Sequence, residues 1–228
     1  MFTGITDDMV RFFLSIRFNN NAAFFEANRG VYAQHVQQPL RALAEDLAPT
    51  LEGIDPRFDT RPGRVLSRIR RDTRFSKNKD PYRDHMWLGW RYAGQMREEA
   101  TGFYFEVSPE GTHWGFGGYG EHKPLMDAIR RRLVNRPKEL LFLFKAAGVP
   151  DRFTLNGTQY KRMPVPPEIP AALAPLYCNK GFYFENVARP DDGQALYSDA
   201  IVYRLRQDFA ALAPLYHWVR DRQAELGL

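Results

Sequence analysis

The spacing of apolar residues changes from a helical to a strand period between Leu51 and Val65, and that change restricts the classes of fold open to the chain. Met9, Phe12, Phe13 and Ile16 recur at helical spacing. Phe24, Phe25, Val31, Tyr32, Val36, Leu40, Leu43, Leu47 and Leu51 form a second helical stripe. Thr6 is placed to cap the first helix, and Asp7 and Asp8 fall in its first turn, where acids suit the helix dipole. Asn19, Asn20 and Asn21 separate the stripes and can cap the second. Gly30 and Pro39 lie inside the second pattern, which predicts a kink or break near Pro39; Gly53 and Pro56 end it.

Beyond Pro56 the period is two. In "RVLSRIR" (64–70), Val65 and Ile69 are expected to face a core, with Arg64, Arg68 and Arg70 on the other face. Residues 72–83 read as a loop, because Asn78, Asp80 and Pro81 resist regular structure. "MWLGWRY", "GFYFEVSP" and "THWGFGGYG" read as further strands. Pro124 then opens the helix "LMDAIRRRLVNR", and "PKELLFLFKAAG" forms another, closed by Gly148.

The expected class is α+β: N-terminal helices followed by a mixed or antiparallel sheet with packed helices. The 228 residues suit a single domain over 1–228. "GFYFE" occurs at 102–106 and again at 181–185, and "IDPRF" at 54–58 resembles "VPDRF" at 149–153. These echoes predict a degenerate duplication, with pseudo-repeats at about 40–135 and 136–220.

Cys178 is the only cysteine, which fits a reducing compartment. The N-terminus has acids where a signal peptide needs cations, and no apolar run approaches the ~20 residues that span a bilayer. A cytoplasmic protein without a membrane partner is expected. Oligomeric state stays open.

Charge is the most local feature of the sequence. The net charge is +5, yet residues 61–91 alone hold ten Lys or Arg against Asp72, Asp80 and Asp84, a net +7, which leaves −2 for the rest. A local patch implies a local anion. Arg68, Arg70, Arg71, Arg74 and Arg83 offer planar forks suited to carboxylate or phosphate, Lys77 and Lys79 offer ammonium donors, and Ser76 offers a hydroxyl. Free backbone N–H groups in such a loop can form an anion nest. Two other readings stand beside this one. The three Asp can lock Arg71 or Arg74 into a structural network, joined by Glu26 or Glu106, or the cations can form a solvated face.

Tyr82, Trp87, Trp90 and Tyr92 follow the cations closely. Such interleaving can stack the bases of a single strand, but alternating aromatics in a strand are more often core. Gly115, Gly117 and Gly120 satisfy G-x-G-x-x-G without the strand–turn–helix setting of a dinucleotide site, and they read instead as strand glycines against a close backbone. Glu121 and Lys123 form a Glu-x-Lys pair, but Pro124 follows at once and argues against a nuclease strand. His35, His85, His113, His122 and His217 make no zinc-binding pattern. No metal and no cofactor are expected.

The segment "SRIRRDTRFSKNKDPYRDH" resembles the signature of the proteins filed as domain of unknown function 2461: an Arg, then Arg-Asp-x-Arg-Phe-Ser-Lys-x-Lys-x-Pro-Tyr. It falls on Arg68, Arg71, Asp72, Arg74, Phe75, Ser76, Lys77, Lys79, Pro81 and Tyr82. "NNNAAFFEANRGVYAQHVQQPLRALAEDL" and "GFYFEVSPEG" are similar to the same family. The resemblance implies an α+β fold and no established activity.

The functional expectation is an anionic, phosphate-like small ligand held by loop 68–83, between Arg71 or Arg74, Ser76 and Lys77 or Lys79, with Tyr82 beside them. Nucleic acid is a further candidate partner. The alternatives are an enzyme acting on a phosphate ester or nucleic acid, with Asp72, Asp80, Asp84 or His85 as acid or base, and an interaction module with a structural Arg network.

Overall fold

The computed structural model describes residues 1–92, 100–118 and 120–227. In chain order its elements begin with α1 (Asp7–Phe18), α2 (Ala22–Ala27), α3 (Arg29–Val31), a π-helical turn (Tyr32–Gln37), α4 (Gln38–Ile54) and α5 (Pro62–Val65). Strands β1 (Met86–Trp90), β2 (Thr101–Ser108) and β3 (Gly111–Gly118) follow. Next come α6 (Lys123–Asn135), α7 (Pro137–Ala147), β4 (Phe153–Asn156), a 3-10 turn (Ala171–Leu173), α8 (Ala174–Cys178), β5 (Tyr183–Asn186), α9 (Asp192–Leu196) and α10 (Ala200–Ala224). The strands form one antiparallel sheet in the order β1-β2-β3-β5-β4. With its packed helices, the fold is α+β.

The two N-terminal stripes are mostly buried, but the second is divided among α2, α3, the π-helical turn and α4, and within it Val31 is exposed and Phe24 half-buried. Met9, Phe12, Phe13 and Ile16 of α1 are buried, as are Val36, Leu40, Leu43, Leu47 and Leu51 beyond it. Thr6 occupies the N-cap position of α1 but makes no side-chain cap hydrogen bond; its Oγ1 lies 3.3 Å from His35 Nδ1 instead. Asn21 caps α2 by accepting from Phe24 N at 2.9 Å. The irregularity expected near Pro39 falls just before it. The backbone widens into the π-helical turn, and Pro39 then sits in the first turn of α4, where a missing N–H costs little.

The chain divides into two units. The first comprises residues 1–90, 104–113 and 188–206. Its aromatic contacts run from Phe12 to Tyr32, from Tyr32 to Phe25 and from Phe25 to Tyr82. The second comprises residues 91–103, 114–187 and 207–228. Here Phe116 packs with Phe103, Phe182, Phe184 and Tyr216. Asp208 of the same unit is fully buried. Its carboxylate accepts from Trp114 Nε1 at 2.7 Å and pairs with Arg152 at 2.5 Å, so a charge that would be costly alone is compensated on both oxygens.

Gly115 and Gly117 belong to that second unit. They pair with Glu185 and Tyr183 of β5, and a Cβ at Gly115 would lie 1.8 Å from Phe184 O. Close backbone approach accounts for these two glycines of the G-x-G-x-x-G pattern. Tyr119, within the same run, lies outside the described residues. Glu121 pairs with Lys180 and Lys123 with Asp127, so each has its own partner. His122 caps α6, with its Nδ1 accepting from Leu125 N at 3.0 Å.

Candidate functional site

The basic segment is a hairpin within the first unit. Its outgoing arm is shorter than the alternation in "RVLSRIR" predicts. Pro62 fixes a helical φ, and Val65 N donates to Arg61 O, so 62–65 is a helical turn and pairing starts only at Leu66. Ser67 N then donates to Trp87 O, Arg83 N to Ile69 O and Arg71 N to Pro81 O, each at 2.9 Å. Val65 is buried and Ile69 half-buried, while Arg68 and Arg70 are exposed. Leu66 pairs with Leu88 and Arg70 with Tyr82. Three residues separate Leu66 from Arg70 and five separate Tyr82 from Leu88, so the returning arm bulges by two residues and turns side chains out of register.

The base of the hairpin is tied down from α1 and α2. Tyr82 is 3% exposed and stacks on Phe25, with ring centroids 4.4 Å apart and planes at 15°. Tyr82 is therefore scaffold, and Arg70 leans over its ring with 5.8 Å between guanidinium and centroid. Arg17, in the last turn of α1, reaches Asp84 Oδ2 with its Nε at 2.5 Å and holds Glu110 through both Nη atoms. Burial pushes Asp84 up, but hydrogen bonds from His85 and Arg17 outweigh it and hold the carboxyl below its ordinary range.

The tip, 72–80, is shaped by its own side chains. Asp72 accepts from Arg74 Nε at 3.0 Å, from Nη2 at 2.7 Å and from its backbone N at 3.2 Å. Those bonds bring the Asp72 carboxyl down to about 2. Lys79 Nζ donates to Thr73 O, Ser76 N donates to Thr73 O, and Asp80 N donates to Asn78 Oδ1. Several backbone donors of the expected nest are thus used internally. Two of its cations, Arg74 and Lys79, are engaged as well. Arg68, Arg70, Arg71 and Lys77 have no acidic partner among the described residues, and Arg71 is half-buried. Of the three acids in the window, Asp72 is engaged by Arg74, Asp84 by Arg17 from outside it, and Asp80 is exposed at the tip.

The bulge adds a planar cluster. Arg83 Nε donates to Arg68 O, and its guanidinium lies 4.7 Å from the Trp87 ring, on which His85 also stacks at 5.9 Å. His85 Nδ1 lies 3.0 Å from Asp84 Oδ1. When that nitrogen carries the proton, Nε2 is left with a lone pair, the form a general base needs.

Some residues fall differently from the sequence expectation. Glu26 pairs with Arg29 rather than with a loop Arg, and Asp72 alone takes Arg74. Tyr82 and Trp90 are core, as alternating aromatics in a strand suggest, whereas Trp87 is half-buried. Arg17, Asn20 and Glu110 were not legible as parts of the hairpin, since their partners lie 62 to 93 residues away. Among the described residues no three His, Cys, Asp or Glu side chains gather as metal ligands, and no helix is long and apolar enough to cross a membrane.

A family model described as conserved hypothetical protein (DUF2461) matches residues 8–218. No curated protein matches the chain.

Proposed function

For this chain, which belongs to the DUF2461 family of conserved hypothetical proteins, we propose that the hairpin 66–88 binds a phosphate-like anion. The observation that carries the reading is the set of cations without acidic partners: Arg68, Arg70, Arg71 and Lys77 stand on one hairpin whose acids Asp72 and Asp84 are already engaged by Arg74 and Arg17. Arginine forks favour planar, bidentate partners such as phosphate and carboxylate. Phosphate presents more acceptor oxygens to several donors than carboxylate does.

The test is thermal stability with phosphate, sulfate and chloride at matched ionic strength. A ligand at about 100 times its dissociation constant stabilises by roughly 2.7 kcal/mol. Arg70→Gln/Lys77→Gln, at exposed positions, should keep the fold and lose that response. A wild-type response no larger than that to chloride rejects the reading.

A second reading is favoured by the Asp84–His85 contact alone: chemistry on a phosphate ester, with His85 as base, Asp84 holding its ring and the neighbouring cations stabilising developing charge. Turnover of a generic aryl phosphodiester, abolished in His85→Gln while phosphate still stabilises that variant, is its expected signature. No turnover by the wild type rejects it.

A further inference from the structure

The tip carries a side chain that a bare oxyanion leaves unused. Phe75 is 95% exposed, the most exposed large apolar side chain among the described residues. Single exposed apolar residues are ordinary on protein surfaces, and Phe18 and Phe142 are examples at 81% and 70%. The setting of Phe75 is different. It follows Arg74, whose guanidinium is 5.8 Å from the ring centroid, and it stands in the same short tip as Lys77; Arg71 ends the arm just before that tip, and neither Arg71 nor Lys77 has an acidic partner among the described residues.

An exposed π face on a hairpin that also carries cations without acidic partners matches one kind of ligand closely. Single-stranded nucleic acid offers base faces for stacking and a phosphate for each base. A duplex keeps its base faces inside its own stack, so it can use the cations but not the ring. A membrane wedge needs apolar neighbours around the aromatic. Phe75 has Thr73, Ser76, Asn78 and Asp80 instead. The Arg83–Trp87–His85 stack places further planar groups on the returning arm.

We propose that the tip binds single-stranded nucleic acid, with a base stacked on Phe75 and flanking phosphates on Arg70, Arg71 and Lys77; this rests on the anion-binding reading above. Stacking explains the ring, charge explains the cations, and neither alone explains both.

The experiment is fluorescence anisotropy with labelled oligo-dT and oligo-U of roughly twelve nucleotides and a duplex of equal length, at about 50 and 200 mM salt. Wild type, Phe75→Ala, Phe75→Trp and Arg70→Gln/Lys77→Gln are compared, with folding checked by circular dichroism. The single strands should bind more tightly than the duplex, and more weakly at the higher salt. Phe75→Ala should weaken single-strand binding about ten- to a hundredfold. Phe75→Trp should retain it, with indole quenching on binding. The double variant should lose affinity and some of the salt dependence.

Equal affinity of Phe75→Ala and wild type, or equal binding of duplex and single strand, overturns the proposal. So does Phe75-dependent binding to phosphatidylserine vesicles without strand binding. If phosphate still stabilises the wild type in those cases, the anion reading survives alone. If neither phosphate nor any strand binds, both fall.

Discussion

Asn20 holds the backbone of Tyr82 at both of its polar groups. Its Nδ2 donates to Tyr82 O at 3.0 Å, and its Oδ1 accepts from Tyr82 N at 2.9 Å. The amide thereby imitates a strand neighbour and ties the returning arm of the hairpin to the segment between α1 and α2. Asn20→Ala removes both bonds from partly buried backbone groups and is expected to destabilise by about 1–3 kcal/mol, read from urea unfolding. Asn20→Asp keeps the acceptor and loses the donor, so it should fall between the two.

Asp72→Asn should strengthen anion binding. It removes a negative charge from the tip and frees Arg74, so phosphate affinity at neutral pH is expected to rise about two- to fivefold. Titration calorimetry measures it, and an unchanged constant would place the anion away from the tip. Acid removes the same charge only far below neutrality. Because the folded Asp72 carboxyl titrates at about 2, below its ordinary 3.8, the charge is lost only as pH falls through that range. The ion pair's contribution to stability is full above the ordinary value and is lost over the same interval. Both side chains are exposed, so that contribution is small.

Arg17 carries a different pH dependence. Asp84 is depressed in the folded chain despite partial burial, so its bonds stabilise above the ordinary carboxyl range and are lost as pH falls below it. Arg17→Ala removes one of the two side chains that oppose burial. The carboxyl of Asp84 should then titrate at higher pH, seen by carbon-detected NMR, and unfolding in acid should begin earlier than in the wild type.

Gly115→Ala tests the strand explanation of the glycine motif. The added Cβ would meet Phe184 O at 1.8 Å, a backbone atom that cannot rotate away. A loss of at least about 1–3 kcal/mol is expected in thermal or chemical unfolding. Gly53→Ala has open space within α4 and should be tolerated or slightly stabilising.

The elements were readable wherever a single local signal dominated. The stripes of α1 and α4, the Asn21 cap, the strand of alternating burial in β2 and the left-handed Gly148 that closes α7 all follow from neighbouring residues. The alternation from Arg64 onward misled because Pro62 imposes a helical turn that two apolar positions cannot reveal. Thr6 has the right position for a cap, but its hydroxyl lies beside His35, a contact outside local sequence. At the candidate site, the cation excess was readable by counting. Which acids it engages was not, because the decisive partner of Asp84 is Arg17, on another element. Phe75 stood in the motif, but its exposure could not be read from its neighbours in sequence.

The hydrogen bonds that shape residues 72–80 run between those residues: Asp72 to Arg74, Thr73 to Ser76 and Lys79, Asn78 to Asp80. The arms below depend on Asn20, Phe25 and Arg17. Mutational tolerance is therefore partitioned along the hairpin. Residues at the tip can be exchanged without removing the contacts that hold the arms. The same exchange at the arms would be filtered out as unfolding before any new specificity was sampled.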